Sequence, residues 1–156
     1  MEQQQLSQVE LIAWRLAGKL PHIDINGTDF TIDIRLDELR ETQAPWNRID
    51  ISDMETAPDS DDRLFFYHTK EHTPWELKDE ITEVPEHVVL VALPPELILD
   101  PVAAARKVGF NDEEFLQEHP IRQYIKAGIT PLAETFLPAF IEENIAKQQN
   151  SRSQRR

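Results

Sequence analysis

The sequence contains no cysteine. That excludes a disulfide framework, a thiolate metal site and a cysteine nucleophile. Glycine is almost as scarce, with four residues spread along the chain. A loop that cradles phosphate needs several glycines in one short run, so that chemistry is excluded too. No apolar run approaches the roughly 18 residues of a membrane-spanning helix, and we expect no membrane partner. The opening Met1-Glu2-Gln3-Gln4-Gln5 has neither the basic nor the apolar region of a secretory signal, so the expected location is cytoplasmic.

Bases are the other shortage. Sixteen Lys and Arg face 29 Asp and Glu, giving a formal charge of −13. The stretch from Lys147 onward holds four bases and no acid, which leaves 12 bases, 29 acids and −17 for the rest. An acidic body repels nucleic acid and anionic membranes, because phosphate contacts need Lys and Arg. Its fitting partner is another protein with a basic surface, or one that an acidic DNA mimic could engage. Solubility alone would also account for the charge.

The most definite structural signal is Leu20 to Arg40. Asn26-Gly27 lies between two alternating runs and supplies the positive φ angles of a type I′ hairpin turn. Ile23 and Ile25 share one face, as do Phe30, Ile32, Ile34 and Leu36; Asp29, Thr31, Asp33 and Arg35 take the other. Glu2 to Lys19 reads as a helix stopped by Gly18 and Pro21, its stripe of Leu6, Val9, Ile12 or Ala13, and Leu16 expected on the inward face of the hairpin. Asp37 to Glu41 reads as a helical turn broken by Pro45-Trp46-Asn47, with a short strand at Arg48–Ile51. Arg63 to His68 and His87 to Leu93 read as strands, the second buried and central because it is short, apolar and β-branched. Between Asp50 and Glu86 stand 12 acids and three bases, with a mobile acidic loop at 57–62.

In the second half, Asp100 caps a helix that opens with Pro101 and stops at Gly109. Asn111 with Glu114 resembles a capping box for a helix from Asp112, which must end before Pro120. Ile121 to Ala127 reads as a further short helix. Thr130-Pro131 reads as the start of the last helix, with Pro138 expected to kink it. We therefore expect an α+β fold: a small, mostly antiparallel sheet with an N-terminal helix and a C-terminal cluster of short helices. Residues 1–147 form one domain in this reading, and 148–156 form a disordered basic tail.

His68-Thr69-Lys70-Glu71-His72 matches the H-x-x-E-H pattern of the inverted zinc proteases. That chemistry needs both His on one helix face, Glu71 as base, and a distant third ligand such as Glu142 or Glu143. A strand signal precedes the motif and Pro74 follows it closely, so the context favours a charged hairpin turn. Asp59, Asp61 and Asp62 lack the Gly and closing Glu of a calcium loop. Asn26-Gly27-Thr28 is formally a glycosylation acceptor but reads as the hairpin turn. No catalytic residue, metal ligand or cofactor site is assigned.

Val108-Gly109-Phe110-Asn111-Asp112-Glu113-Glu114-Phe115-Leu116, followed by Gly128-Ile129-Thr130-Pro131, resembles the second helix-turn-helix of the arabinose-regulator family. The resemblance, over 108–131, implies a DNA-reading helix. It departs from the family in a longer gap before Gly128, in Pro120, and in Glu113, Glu114 and Glu118, which would meet phosphates unfavourably. More broadly, Asp29-Phe30-Thr31-Ile32-Asp33 with Arg35-Leu36-Asp37-Glu38-Leu39-Arg40 and Pro45-Trp46 is similar to small uncharacterised proteins of bacterial mobile elements, which implies no activity. The leading expectation is a non-enzymatic acidic accessory or protein-interaction module. The alternatives are a nucleic-acid-linked regulator (helix-turn-helix or acidic DNA mimic) and a metal-dependent hydrolase.

Overall fold

The computed structural model describes residues 5–109 and 112–154. Asn26 and Gly27 both take positive φ, 51° and 90°, and close a two-residue turn between β1 (His22–Ile25) and β2 (Thr28–Asp33). Their twist matches the strands they join. Ile23, Ile25, Phe30 and Ile32 are all buried on one face. A Cβ at Gly27 would meet nothing within 4 Å, so a substitution there is penalised by backbone strain alone. Gly27→Val should cost about 2 kcal/mol, since a β-branched residue resists positive φ. A thermal melt should show a Tm lower by roughly 4–8 °C; an unchanged Tm would contradict the turn.

The hairpin continues into an antiparallel meander with β3 (Glu38–Glu41) and β4 (Ala44–Asp50), in the order β1-β2-β3-β4. The run of inward residues stops sooner than the alternation predicts. Ile34 to Leu36 form a 3-10 turn, the Asp33 carboxylate accepts the Leu36 N–H at 3.3 Å, and Asp37 turns left-handed at φ 51°. Leu36 is consequently exposed. Asp37 to Glu41 is not a helical turn: Glu38 to Glu41 is a strand, with Leu39 buried opposite Ile49. Pro45 breaks nothing, because β4 is an edge strand whose register shifts beside Arg40 and Glu41, a place where a missing N–H is tolerated.

A second sheet replaces the single one expected. It contains β5 (Glu55–Thr56), β6 (Arg63–His68), β7 (Thr73–Pro74), β8 (Val88–Leu93) and β9 (Gly128–Pro131). The order is β5-β6-β8-β9, with β7 beside β6, and every pair is antiparallel. The continuous apolar run of β8 requires cover on both faces, which one sheet and one helix could not provide. Val91 and Leu93, with Tyr67 of β6, join the hairpin residues in the main core between the sheets. Phe30 meets Tyr67 edge-on across that core, at 6.3 Å. Val88 and Phe66 face the other way, into a second core.

The N-terminal helix, α1 (Gln8–Leu16), starts at a Ser7–Glu10 capping box. It does not cover the hairpin: Leu11 is its buried residue, while Val9 and Leu16 of the expected stripe are exposed. Sheet two has taken that face. The short helices α2 (Glu96–Leu99), α3 (Pro101–Val108) and α4 (Asp112–Glu118) follow β8. Asp100 caps α3 through the Ala103 N–H, and Gly109 ends it at φ 74°, as the local sequence predicts. Asn111 lies outside the described residues.

The fold is α+β with helices in its C-terminal part, as expected, though the helix expected at 121–127 is not formed. Residues 121–127 are irregular, with a single parallel bridge between Lys126 and Asp24. The Asp24 N–H donates to the Ile125 carbonyl, and the Ala127 N–H donates to Asp24, both at 2.9 Å. The open edge of β1 offers those groups partners, and that outweighs helix propensity. The chain then enters sheet two as β9, so Thr130-Pro131 closes a strand. A 3-10 turn at Leu132–Glu134 leads to α5 (Leu137–Gln154), an 18-residue helix. Pro138 sits in its first turn, where its missing N–H costs nothing and no kink is required. Helix α5 also runs through 148–154, where the composition predicts a disordered tail. No helix among the described residues is long and apolar enough to cross a membrane.

Candidate functional site

The H-x-x-E-H stretch is a turn. His68 ends β6, Thr73 begins β7, and the two pair across Thr69–His72. The His68 Nδ1 accepts from the Lys70 and Glu71 N–H groups, at 3.3 and 3.1 Å, so the ring serves its own turn. His72, at φ 58°, points elsewhere. Its Nδ1 lies 2.9 Å from Glu41, its Nε2 lies 3.3 Å from Thr28 Oγ1, and its ring stacks over Tyr67. The Asn47 amide donates to Glu41 at 3.1 Å and to the His72 carbonyl at 2.8 Å. That amide holds the Glu41 carboxyl below its usual pKa; burial opposes the shift and the His72 ring reinforces it. This network ties the turn to β3 and β4. Glu142 and Glu143 stand exposed on α5. Among the described residues no group of three or more His, Asp or Glu is placed to hold a metal ion.

The helix-turn-helix resemblance maps onto the end of α3, onto α4, and onto β9, with the irregular segment between them. Pro101 to Ala105 of α3 are buried. The seven residues of α4 carry Glu113, Glu114 and Glu118 and no base.

The acidic middle of the chain becomes more definite in three dimensions. Of its 12 carboxylates, all but the partly covered Asp62 are exposed. Five of them, Glu76, Asp79, Glu80, Glu83 and Glu86, belong to the connection 75–87 between β7 and β8. A connection of this length without helix or strand is uncommon unless it is disordered or functional. This one is held at both ends. The Trp75 N–H donates to the Phe66 carbonyl at 2.8 Å, and the His87 carbonyl accepts from the Thr69 N–H at 2.7 Å. Trp75, Leu77 and Ile81 turn inward against Phe66, Leu137 and Ile141. Asn144 of α5, itself buried, donates to the carbonyls of Asp79 and Ile81, at 2.9 and 2.8 Å. Alternation of apolar anchors and acids therefore gives an ordered loop that presents carboxylates outward.

The charge on this loop is poorly compensated. Lys78 pairs with Glu76 at 3.3 Å and His87 approaches Glu86 at 4.0 Å. Among the described residues, Asp79, Glu80 and Glu83 have no ion pair. Asn144→Ala should free both carbonyls and loosen the loop without unfolding the sheets, at about 1–3 kcal/mol. Amide hydrogen exchange should accelerate across 75–87 and not in β6 or β8. Uniform acceleration would show that Asn144 does not act locally.

A cleft of about 890 Å³ runs beside the hairpin and is lined by His22, Asp24, Asp29, Tyr124 and Lys126, among others. His22 Nδ1 lies 2.6 Å from Asp29 Oδ2, which also accepts from the Thr42 hydroxyl at 2.6 Å. A carboxylate that orients an imidazole is one part of a general-base relay. Thr42 is not placed as its nucleophile, because it bonds the carboxylate side of the pair, 3.4 Å from Nδ1 and not at Nε2. The pair was derivable in principle: the Asn-Gly turn sets Asp24 opposite Asp29, which puts His22 on the adjacent diagonal. Comparison with known proteins finds no matching family model, no similar curated protein and no similar solved structure.

Proposed function

We propose that this protein is a non-enzymatic interaction module whose 75–87 loop docks a basic segment of another protein. The observation that carries the reading is the ordered loop itself, with five exposed carboxylates, three of them without an ion pair among the described residues. Pinning by Asn144 lowers the entropy lost when a partner binds. Surrounding negative charge steers a cationic partner toward the loop and discriminates against anionic ones.

The test compares wild-type protein with a variant neutralised at those three positions, Asp79→Asn, Glu80→Gln and Glu83→Gln. These side chains are exposed, so the fold should be retained, as circular dichroism would verify. Affinity capture with quantitative mass spectrometry should recover a basic protein on the wild type and lose most of it on the variant. Purified, that protein should bind less tightly as salt rises. Equal recovery on both would defeat the reading. Tight binding of random duplex DNA by the full chain at physiological salt would replace it with the nucleic-acid-linked one. Competition with DNA for the captured protein would favour a DNA mimic.

A further inference from the structure

The scarce bases of this acidic chain are not scattered evenly. Arg15, Arg35, Arg106 and Lys107 all line one concavity of about 520 Å³, together with Gly18, Leu20, Asp33 and Ala103. It lies where the end of α1, the turn after β2 and the last turns of α3 converge. These bases are 20 or more positions apart in three separate elements, apart from the adjacent Arg106 and Lys107.

Their partners divide them into two groups. Arg15 is committed to the buried Asp100, with contacts of 2.9 and 3.1 Å. Lys107 is bridged to Asp37 and Glu96, both at 3.1 Å, and these carboxylates keep its pKa raised although burial works against the charge. Asp33, the one acid in the lining, is taken by Arg40 at 3.1 Å and by the Leu36 N–H. Arg35 and Arg106 remain. Both are exposed, and among the described residues neither has a carboxylate partner. The concavity thus carries two uncommitted guanidiniums beside bases that are already paired with carboxylates.

We infer that this concavity binds a small molecule through a phosphate monoester, with Arg35 and Arg106 as its ligands. A phosphate monoester near pH 7 carries about −1.5 to −2 charges, which two guanidiniums match. Guanidinium forks bond phosphate oxygens in pairs, with geometry that a lysine lacks. Leu20 and Ala103 supply apolar wall for the organic part, and a volume of about 520 Å³ is that of a small-molecule site. A polyanion does not fit, because the rest of its phosphates would lie against a protein of charge −13.

The test is titration calorimetry on the full chain with inorganic phosphate, adenosine monophosphate, adenosine and a random DNA duplex. Inorganic phosphate and adenosine monophosphate should bind, the ester more tightly, and adenosine should not. Arg35→Gln and Arg106→Gln should each weaken the ester by about 10-fold or more, as expected for a hydrogen bond to a charged group. The double variant should abolish binding of both anions with an unchanged melting curve, and Lys147→Gln should leave binding intact. Retained binding in the double variant, equal binding of adenosine, or preference for the duplex would each overturn the site. So would failure of both anions to bind at millimolar concentration, which would leave Arg106 as a helix C-terminal complement only.

Discussion

Asp100→Ala should destabilise the fold by roughly 3–5 kcal/mol, the scale for breaking a buried ion pair by removing one partner. The Asp100 side chain is 1% exposed and that of Arg15 is 12% exposed, so both charges are largely withdrawn from water. One carboxylate does three things. It accepts the Ala103 N–H at the start of α3, receives the Arg15 Nε at 3.1 Å, and receives a terminal nitrogen of the same guanidinium at 2.9 Å. Truncation leaves a guanidinium without a counter-charge and a helix without its cap, which alone is worth about 1 kcal/mol. Asp100→Asn keeps an oxygen for the cap and should cost less. Arg15→Met combined with Asp100→Asn should cost less than the sum of the single changes, since neither then strands a charge. Urea denaturation at constant m would measure all four proteins. A loss below about 1 kcal/mol for Asp100→Ala would mean that the pair does not tie α1 to α3 as the geometry implies.

Tyr67 should show opposite outcomes for two substitutions. Its ring is wholly buried, edge-on to Phe30 and Phe65 and stacked on His72, so Tyr67→Ala should cost about 3–5 kcal/mol through the cavity left between the sheets. Among the described residues its buried hydroxyl finds no hydrogen bond of good geometry, although Thr28 lies near it. Tyr67→Phe removes a desolvated polar atom and keeps the ring, and it should be neutral or stabilising by up to about 1 kcal/mol. Burial pushes the Tyr67 phenol up to about 12 from 10.0; the nearby Thr28 opposes the shift, and the Glu41 and Asp24 charges add to it. The folded state therefore favours the neutral phenol. Above pH 10 the unfolded chain loses this proton first, and stability falls until the folded phenol ionises near pH 12. Denaturation midpoints between pH 10 and 12 should decline in the wild type and more shallowly in Tyr67→Phe. Parallel declines would assign the alkaline transition to other groups.

Features whose cause is local could be read from neighbouring residues. Positive φ at Asn26-Gly27 is a steric property of those residues, and it sets the hairpin and its register. Asp100, Pro101 and Gly109 bound α3 because a side-chain acceptor, a fixed φ and a missing Cβ act within one helical turn. The apolar run at 88–93 requires a strand covered on both faces wherever it is placed. The rest depends on how distant segments pack. Residues 121–127 stay out of helix because the β1 edge has free backbone groups, and the first of these residues lies some hundred positions from Asp24. Gly128–Pro131 becomes a strand because β8 has a free side. The acid-rich composition of 75–87 was legible, but its order was not, since that depends on Asn144 and on apolar contacts with α5. Arg15, Arg35 and Arg106 share one wall only after α1, β2 and α3 have packed. Steric and capping preferences act over a few bonds and are written in neighbouring residues. Edge pairing, anchoring and charge convergence depend on which distant segments meet, and that is settled only when the cores close.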